Sequence, residues 1–418
     1  MDTIKGLSPL YDGPEYKKRM ATDYKIPQVT LKQIHEAIPK RLYEKSTLKG
    51  LSVVARDMAF AIVFFYAATY IDPFVETLAP QGEWTQFAAK WTLWATYWWW
   101  QGLAWGGLWV LGHEAGHNVL AAHSWVNHVV GFTLHTFLFV PYYAWRASHH
   151  LHHKSTGSIE RDENFVPATR SELKLPTADK ITKNELAEMF EETPIFTLVR
   201  IIFMQAVGMQ AYFAYNALGN RELYPGYTNH YSPYSPLFKK EEFWHIIISD
   251  IGLGVMTALT WAAVYATSLP TVVKYYTIPY LLANHWIVML TYLHHTDPTM
   301  PHFRKDTWTF VRGAITTIDR PLLGWIGRFF LHNVSHDHVA HHLISSIPHW
   351  NGQEATAALR KVLGDDYNYD SSNTFRALYR SFSECLFIED TGDVVFYHGK
   401  KGVPHRKQVG EEFPPAPQ

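Results

Sequence analysis

Cysteine is nearly absent from this chain: one residue, Cys385, in 418. That excludes an internal disulfide framework, cysteine-based zinc sites and iron–sulfur clusters. Charge is scarce too. Asp, Glu, Lys and Arg make up 18% of the residues, against roughly 25% in an ordinary soluble protein. The 37 basic and 38 acidic side chains nearly cancel, leaving a formal charge of −1. No basic excess exists to meet nucleic acid, and none is expected as a partner. No internal repeat is present, and EEFPPAPQ at the end is the sole biased tract. Residues 1–49 hold no apolar core between a basic flank and a cleavage site, so membrane insertion is expected to use internal segments.

What is abundant is apolar and aromatic. Hydrophobic residues reach 47% and tryptophan numbers 16. A spanning helix needs roughly 20 mostly apolar residues. Trp91–Gly112, Ile251–Val273 and Tyr275–Leu293 each run without a charge, and Met58–Ile71 joins them if Leu51–Ala55 or Phe74–Leu78 extends it. Four spans are therefore expected. Buried helices of a large soluble enzyme are the alternative, and the long charge-free runs argue against it. Asn118–Trp145, with Gly131 and Pro141, and Ile201–Asn220, with Gln205, Gln210 and Asn216, read as shallow or re-entrant elements. Lys154–Thr193 reads as a solvated insert. With four spans, the outer loops hold only Lys90 and Lys274 among the basic residues, so the large side is expected in the cytoplasm. Trp98, Trp99 and Trp100 read as interface anchors rather than as the wall of a binding tunnel.

Histidine numbers 24, and the arrangement is not random. HEAGH puts His113 and His117 four apart. HHLHH sets His149, His152 and His153 at i, i+3 and i+4, and HDHVAHH repeats that spacing with His338, His341 and His342. LHHTDP adds His294 and His295. Residues three and four apart share a helix face, so each cluster can aim two or three imidazoles at one point. HEAGH alone matches the helix motif of zinc proteases, with Glu114 as base. A catalytic zinc takes three protein ligands and keeps one position open. The boxes offer eight or nine histidines, too many for one zinc and suited to two metal ions. Nitrogen donors with almost no carboxylate also make a poor magnesium or calcium site. A zinc protease and a metal transporter remain as rivals from other classes. The first leaves two boxes unexplained, and the second would want ionisable residues along mid-span.

GLWVLGHEAGH, VPYYAWRASHHLHHKSTGSIERDENFVP, TYLHHTDPTMPHF and HDHVAHHLISSIPHW together resemble the membrane fatty acid desaturases, most closely the plant and fungal Δ12 (omega-6) acyl-lipid enzymes. The resemblance runs from about Leu51 to about Gly402. It implies an all-α integral membrane fold: about four transmembrane helices under a cytosolic helical cap that carries a histidine-rich di-metal site. It implies two iron ions held by His113, His117, His149, His152, His153, His295, His338, His341 and His342, with O₂ as co-substrate. His150 and His294 stand where the family often has other residues and are left out. The implied reaction inserts a cis double bond in an acyl chain, oleoyl to linoleoyl. An acetylenase, hydroxylase or desaturase of another chain is the same-fold alternative. Ala115 and the run Asn118–Ala121 depart from the family pattern beside a ligand, where substrate shape could be read.

No HPGG haem signature and no GxGxxG loop after a strand occur in the chain. Electrons are therefore expected from an external donor, which the resemblance identifies as cytochrome b5 with its reductase. The implied setting is a multi-pass protein of the endoplasmic reticulum with its active site facing the cytosol. The expected organisation is an N-terminal segment 1–50, a membrane desaturase domain 51–402 and a flexible tail 403–418. Ligating imidazoles need their second nitrogen held by another group, and Asp162, Asp297, Asp319 and Asp337 lie close enough in sequence to do it.

Overall fold

The computed structural model describes residues 10–409, and it is mostly helical with little strand. Its axis is α2 (Glu83–Gly116), a helix of 34 residues. At ~1.5 Å per residue it is about 51 Å long, well beyond the ~30 Å of a hydrocarbon core. Every residue from Gln101 to Gly116 is buried. Two features of the sequence allow that. The aromatic first half packs Trp94 and Tyr97 against Ile71 and Val75, and glycines in the second half let neighbours approach. A Cβ on Gly102 would lie 2.5 Å from Leu282 Cβ, and one on Gly107 would lie 2.3 Å from Phe330 O. Close approach through small residues is how helices associate where the surrounding medium is itself apolar.

Around α2 stand α1 (Thr47–Ala68), capped by the Ser46 hydroxyl, and α7 (Ile278–His295). Between them in sequence run α3 (Ser124–Phe137), α4 (Tyr142–Ser155), α5 (Pro194–Tyr215) and α6 (Phe243–Ala266). Among the described residues, three stretches are long and apolar enough to cross a membrane: Thr47–Glu76, Pro194–Tyr215 and Lys240–Ala266. They expose large apolar side chains such as Ile62, Val63, Phe203, Val255 and Trp261. The uncharged runs at 91–112 and 275–293 instead form the buried centre, α2 against α7. The Met58–Ile71 run is extended from its N-terminal side, through Leu51–Ala55.

Three local readings of the sequence are corrected. Ile201–Asn220 is not broken at its glutamines: α5 is continuous to Tyr215, because Gln205 falls in the buried stripe Thr197, Ile201, Gln205, Met209, Phe213, and Asn216 ends it in the left-handed region (φ 48°). Asn118–Trp145 becomes two helices, α3 and α4, parted by Phe139 (φ 54°) and Pro141. Lys154–Thr193 is solvated only in its second half: Ser155–Ile159, Asp162 and Glu163 are buried beneath the histidine face.

At the far end of α2, Lys274 Nζ pairs with Asp72 Oδ2 at 2.6 Å and Trp98 Nε1 donates to Lys274 O at 2.8 Å. The loops that carry Asp72 and Lys274 therefore meet. At the histidine end, polar segments close over the helices. Leu31–Ala37, α8 (His338–Leu343) and Gly352–Leu363 share one apolar core. Beside it Asp297 and Asp370 are buried among Arg19, Arg320 and Arg380. The described residues at both ends belong to this body: Arg19 Nη1 donates to Tyr369 O, and Tyr24 pairs with Gln408. A two-stranded antiparallel sheet, Pro301–Phe303 with Val394–Phe396, completes it.

Candidate metal centre and acyl cavity

Four elements deliver the boxes to one place. His113 and His117 sit at the C-terminus of α2, His149, His152 and His153 on α4, His295 at the end of α7, and His338, His341 and His342 on α8. The ring nitrogens gather into two groups, each within 4.8 Å: His113, His117, His149, His153 and His341 in one, His152, His295 and His342 in the other. His338 joins the second through Nε2, 3.1 Å from His295 Nε2. All nine histidines singled out by spacing and resemblance are therefore brought together. His150 turns away, with Nε2 3.0 Å from Gly116 O. His294 Nδ1 is bound to Ile318 O, and its ring stacks on His338.

The geometry suits metal. Nε2 atoms face each other at 3.0 Å (His117, His149) and 3.1 Å (His149 with His153; His113 with His341). Metal–imidazole bonds of about 2.0–2.1 Å place neighbouring donors at about that spacing. Burial drives His149, His153, His338 and His342 far below the usual imidazole value, and His341 down to about 3. These rings are neutral, the state that offers a lone pair.

Support for the imidazoles is uneven. Asp162 accepts from His152 Nδ1 at 2.8 Å, and Thr156 Oγ1 lies 3.1 Å from His342 Nδ1. Of the four aspartates expected to do this work, Asp162 alone does. Asp297 is committed to arginines, Asp319 accepts from Val339 N and Tyr367, and Asp337 faces Arg328. Sequence order could not separate them, since all four lie beside boxes. Glu114 is buried 3.3 Å from His113 Nδ1 and takes the backbone N–H of His349 at 3.1 Å. Trp109 stacks on His113 and Trp145 on His149.

Against this centre lies a cavity of about 530 Å³. His113, His149, His152, His295 and His338 form part of its wall, and Trp109, Phe165, Met204, Gly208, Ile287 and Val288 are among the residues that line the rest. Helix α5 supplies a whole side of it, a contribution the polar interruptions in that segment concealed. Trp98–Trp100 are not part of its wall; their rings pack on Trp94, Trp286 and Phe330. Ala115 and Asn118–Ala121 also stay clear, contrary to the expectation that substrate shape is read there: Leu120 packs beneath Gly50 instead. Residues one turn earlier on α2, Trp109 and Val110, take that place.

A family model for fatty acid desaturases matches residues 89–373. The chain belongs to the fatty acid desaturase family. It is 42% identical over 387 residues to a Δ12 fatty acid desaturase of Mortierella isabellina, covering 91% of this chain and 93% of that one. The Δ12 fatty acid desaturase of Mortierella alpina matches to the same extent, 42% identity with coverage of 91% and 93%. An oleate hydroxylase of Claviceps purpurea is 35% identical over 90% of this chain and 82% of its own. The desaturase is thus an oxidoreductase acting on a fatty acyl chain, as the boxes implied. The protease reading falls with this, and Glu114 faces His113 and His349 rather than the cavity.

Proposed function

We propose that this desaturase inserts a cis double bond at the Δ12 position, converting an oleoyl to a linoleoyl group. The observation that carries the reading is the apolar cavity walled by imidazoles from both groups. An unactivated methylene has no acidic proton, so no Ser, Cys or His nucleophile could begin the reaction. Two irons, held by the five-histidine group and by His152, His295, His338 and His342, would with O₂ supply the hydrogen abstraction. The chain's own work is binding, orientation and exclusion of side reactions. Trp109, Met204, Val207 and Val288 hold the acyl chain dry along the imidazole wall, and Asp162 fixes His152 through Nδ1.

Removing two hydrogens while O₂ goes to two waters consumes two further electrons and two protons. Their source in this reading is cytochrome b5 with its reductase. The setting is the endoplasmic reticulum, crossed four times by α1, α2, α6 and the α7 segment, with α5 lying against the membrane. The histidine face with its polar cap lies in the cytosol. Residues 51–402 carry the desaturase domain, the described residues before and after them pack onto it, and residues 410–418 of the expected tail lie outside the described residues. Support comes from the ionic and polar groups at the histidine end and from the scarcity of basic residues at the other, Lys90 and Lys274.

Lipid analysis of a yeast that makes oleate but no linoleate tests this. Expression should yield diunsaturated C18 chains. A hydroxylated C18 product would select the chemistry of the Claviceps relative. No new acyl species from expressed, iron-loaded protein would end the Δ12 assignment.

A further inference from the structure

One line of buried polar groups runs from α1 to the metal centre and is absent from the ligand set. Asp57 lies inside α1 and is 1% exposed. Its Oδ1 accepts from Arg56 Nε and Nη2 at 2.8 and 2.7 Å, and its Oδ2 lies 2.6 Å from His332 Nε2. The His332 ring packs on His349, centroids 5.0 Å apart. His349 donates its backbone N–H to Glu114 Oε2 at 3.1 Å, with its Nδ1 3.7 Å from the same oxygen. Glu114 Oε1 then lies 3.3 Å from His113 Nδ1.

Two further observations mark this line as built. His332 and Asn333 both take left-handed backbone conformations, φ 49° and 66°, which L side chains adopt at a cost and which collect at functional sites. Gly107 of α2 leaves the space the line occupies: a Cβ there would come within 3.1 Å of Asp57 Oδ2 and 3.4 Å of His332 Nε2. A buried carboxylate in a helix that is otherwise apolar is costly unless it is paired, and here the pairing leads towards a ligand.

We propose that Asp57, His332 and His349 are positioning residues that act through Glu114 to hold the His113 imidazole in the five-histidine group. This rests on the two-iron reading above. Metal-bound histidines are oriented by the partner of their second nitrogen, and loss of that partner lowers metal affinity about 10–100-fold. For His113 the group standing over that nitrogen is Glu114, with Oε1 3.3 Å from Nδ1, and Glu114 is itself placed by the backbone N–H of His349. His332 and Asp57 fix the far side of His349 to the first span.

The test uses full-length protein purified in detergent, comparing Asp57→Asn, His332→Gln and the wild type. Asp370→Asn serves as control, since it removes a buried carboxylate from a separate ion network. Iron affinity, the Mössbauer spectrum and Tm are read for each. Asp57→Asn and His332→Gln should weaken iron binding about 10-fold or more and alter the spectrum of one iron, not both. Asp370→Asn should lower Tm with the iron spectrum unchanged. Wild-type affinity and spectrum in both variants would overturn the proposal, as would iron loss matched by Asp370→Asn at equal loss of Tm. Where Asp57→Asn fails to fold, His332→Gln carries the comparison alone. Wild-type protein that binds no iron would overturn the two-iron reading together with this one.

Discussion

At the scale of single residues, the nine box histidines differ sharply from the rest. Replacing His113, His152 or His341 with Ala removes a donor from one group or the other. Activity should vanish while membrane insertion persists. His123→Ala, at an exposed position before α3, should leave turnover near normal. Near-normal turnover in His341→Ala would mean that the ligand assignment is wrong. Metal analysis of the purified wild type should return close to two irons per chain and little zinc. Asp162→Asn keeps the shape but loses the charge facing His152 Nδ1, and should cost about 10–100-fold in iron affinity or activity. The box residues were legible in the sequence because i, i+3 and i+4 spacing is a helix face. His332 and His349 were not, because their partners, Asp57 and Glu114, are 275 and 235 residues away, and no local period encodes such a pairing.

At the scale of elements, the packing of α2 makes its own predictions. Gly102→Ala puts a methyl where Leu282 already stands, while Gly254 of α6 has nothing within 4 Å of its added Cβ. Gly102→Ala should lower Tm. Gly254→Ala should hold or raise it, since Ala gains up to about 1 kcal/mol over Gly in a helix. The ion network at the histidine end titrates. Burial opposes ionisation of Asp370, but Arg320 and Arg380 override it and hold the carboxyl well below its usual range. A lowered folded value stabilises above the ordinary carboxylate pKa of about 3.9 and is lost as pH falls through the folded value. Thermal stability should therefore drop steeply below about pH 4. Arg380→Ala lets the folded value rise towards the ordinary one, so it should shrink that acid-dependent drop, and Arg320→Ala, which strands a buried charge, should cost about 3–5 kcal/mol. Charge-free runs revealed α1, α6 and α7 to a reader of the sequence. Helix α5 was missed because glutamines within an apolar run look like breaks, whereas a continuous helix turns Gln205 inward and leaves Ile202 and Phe203 outside.

At the scale of the whole molecule, the open quantity is which way it faces. The histidine end gathers the polar cap, and the opposite end offers the short turn of Gly82–Glu83 and the Asp72–Lys274 pair. Basic residues retained on the cytosolic side fix orientation, and Lys90 with Lys274 is too small a share of 37 to compete. The scarcity of cysteine that opened the sequence becomes an instrument here. Cys385 is the one thiol, half-buried at the cavity wall, and burial raises its pKa well above the usual value, which should slow its labelling by polar maleimides. A cysteine placed at exposed Glu83 or exposed Lys154 then reports one side each, with Cys385→Ser as background. In sealed microsomes with the cytosolic face outward, Lys154→Cys should label at once and Glu83→Cys only after permeabilisation. The reverse pattern would put the oxidising centre in the lumen, out of reach of a cytosolic electron donor. Simultaneous labelling of both would mean that α2, for all its 34 residues, does not cross the bilayer.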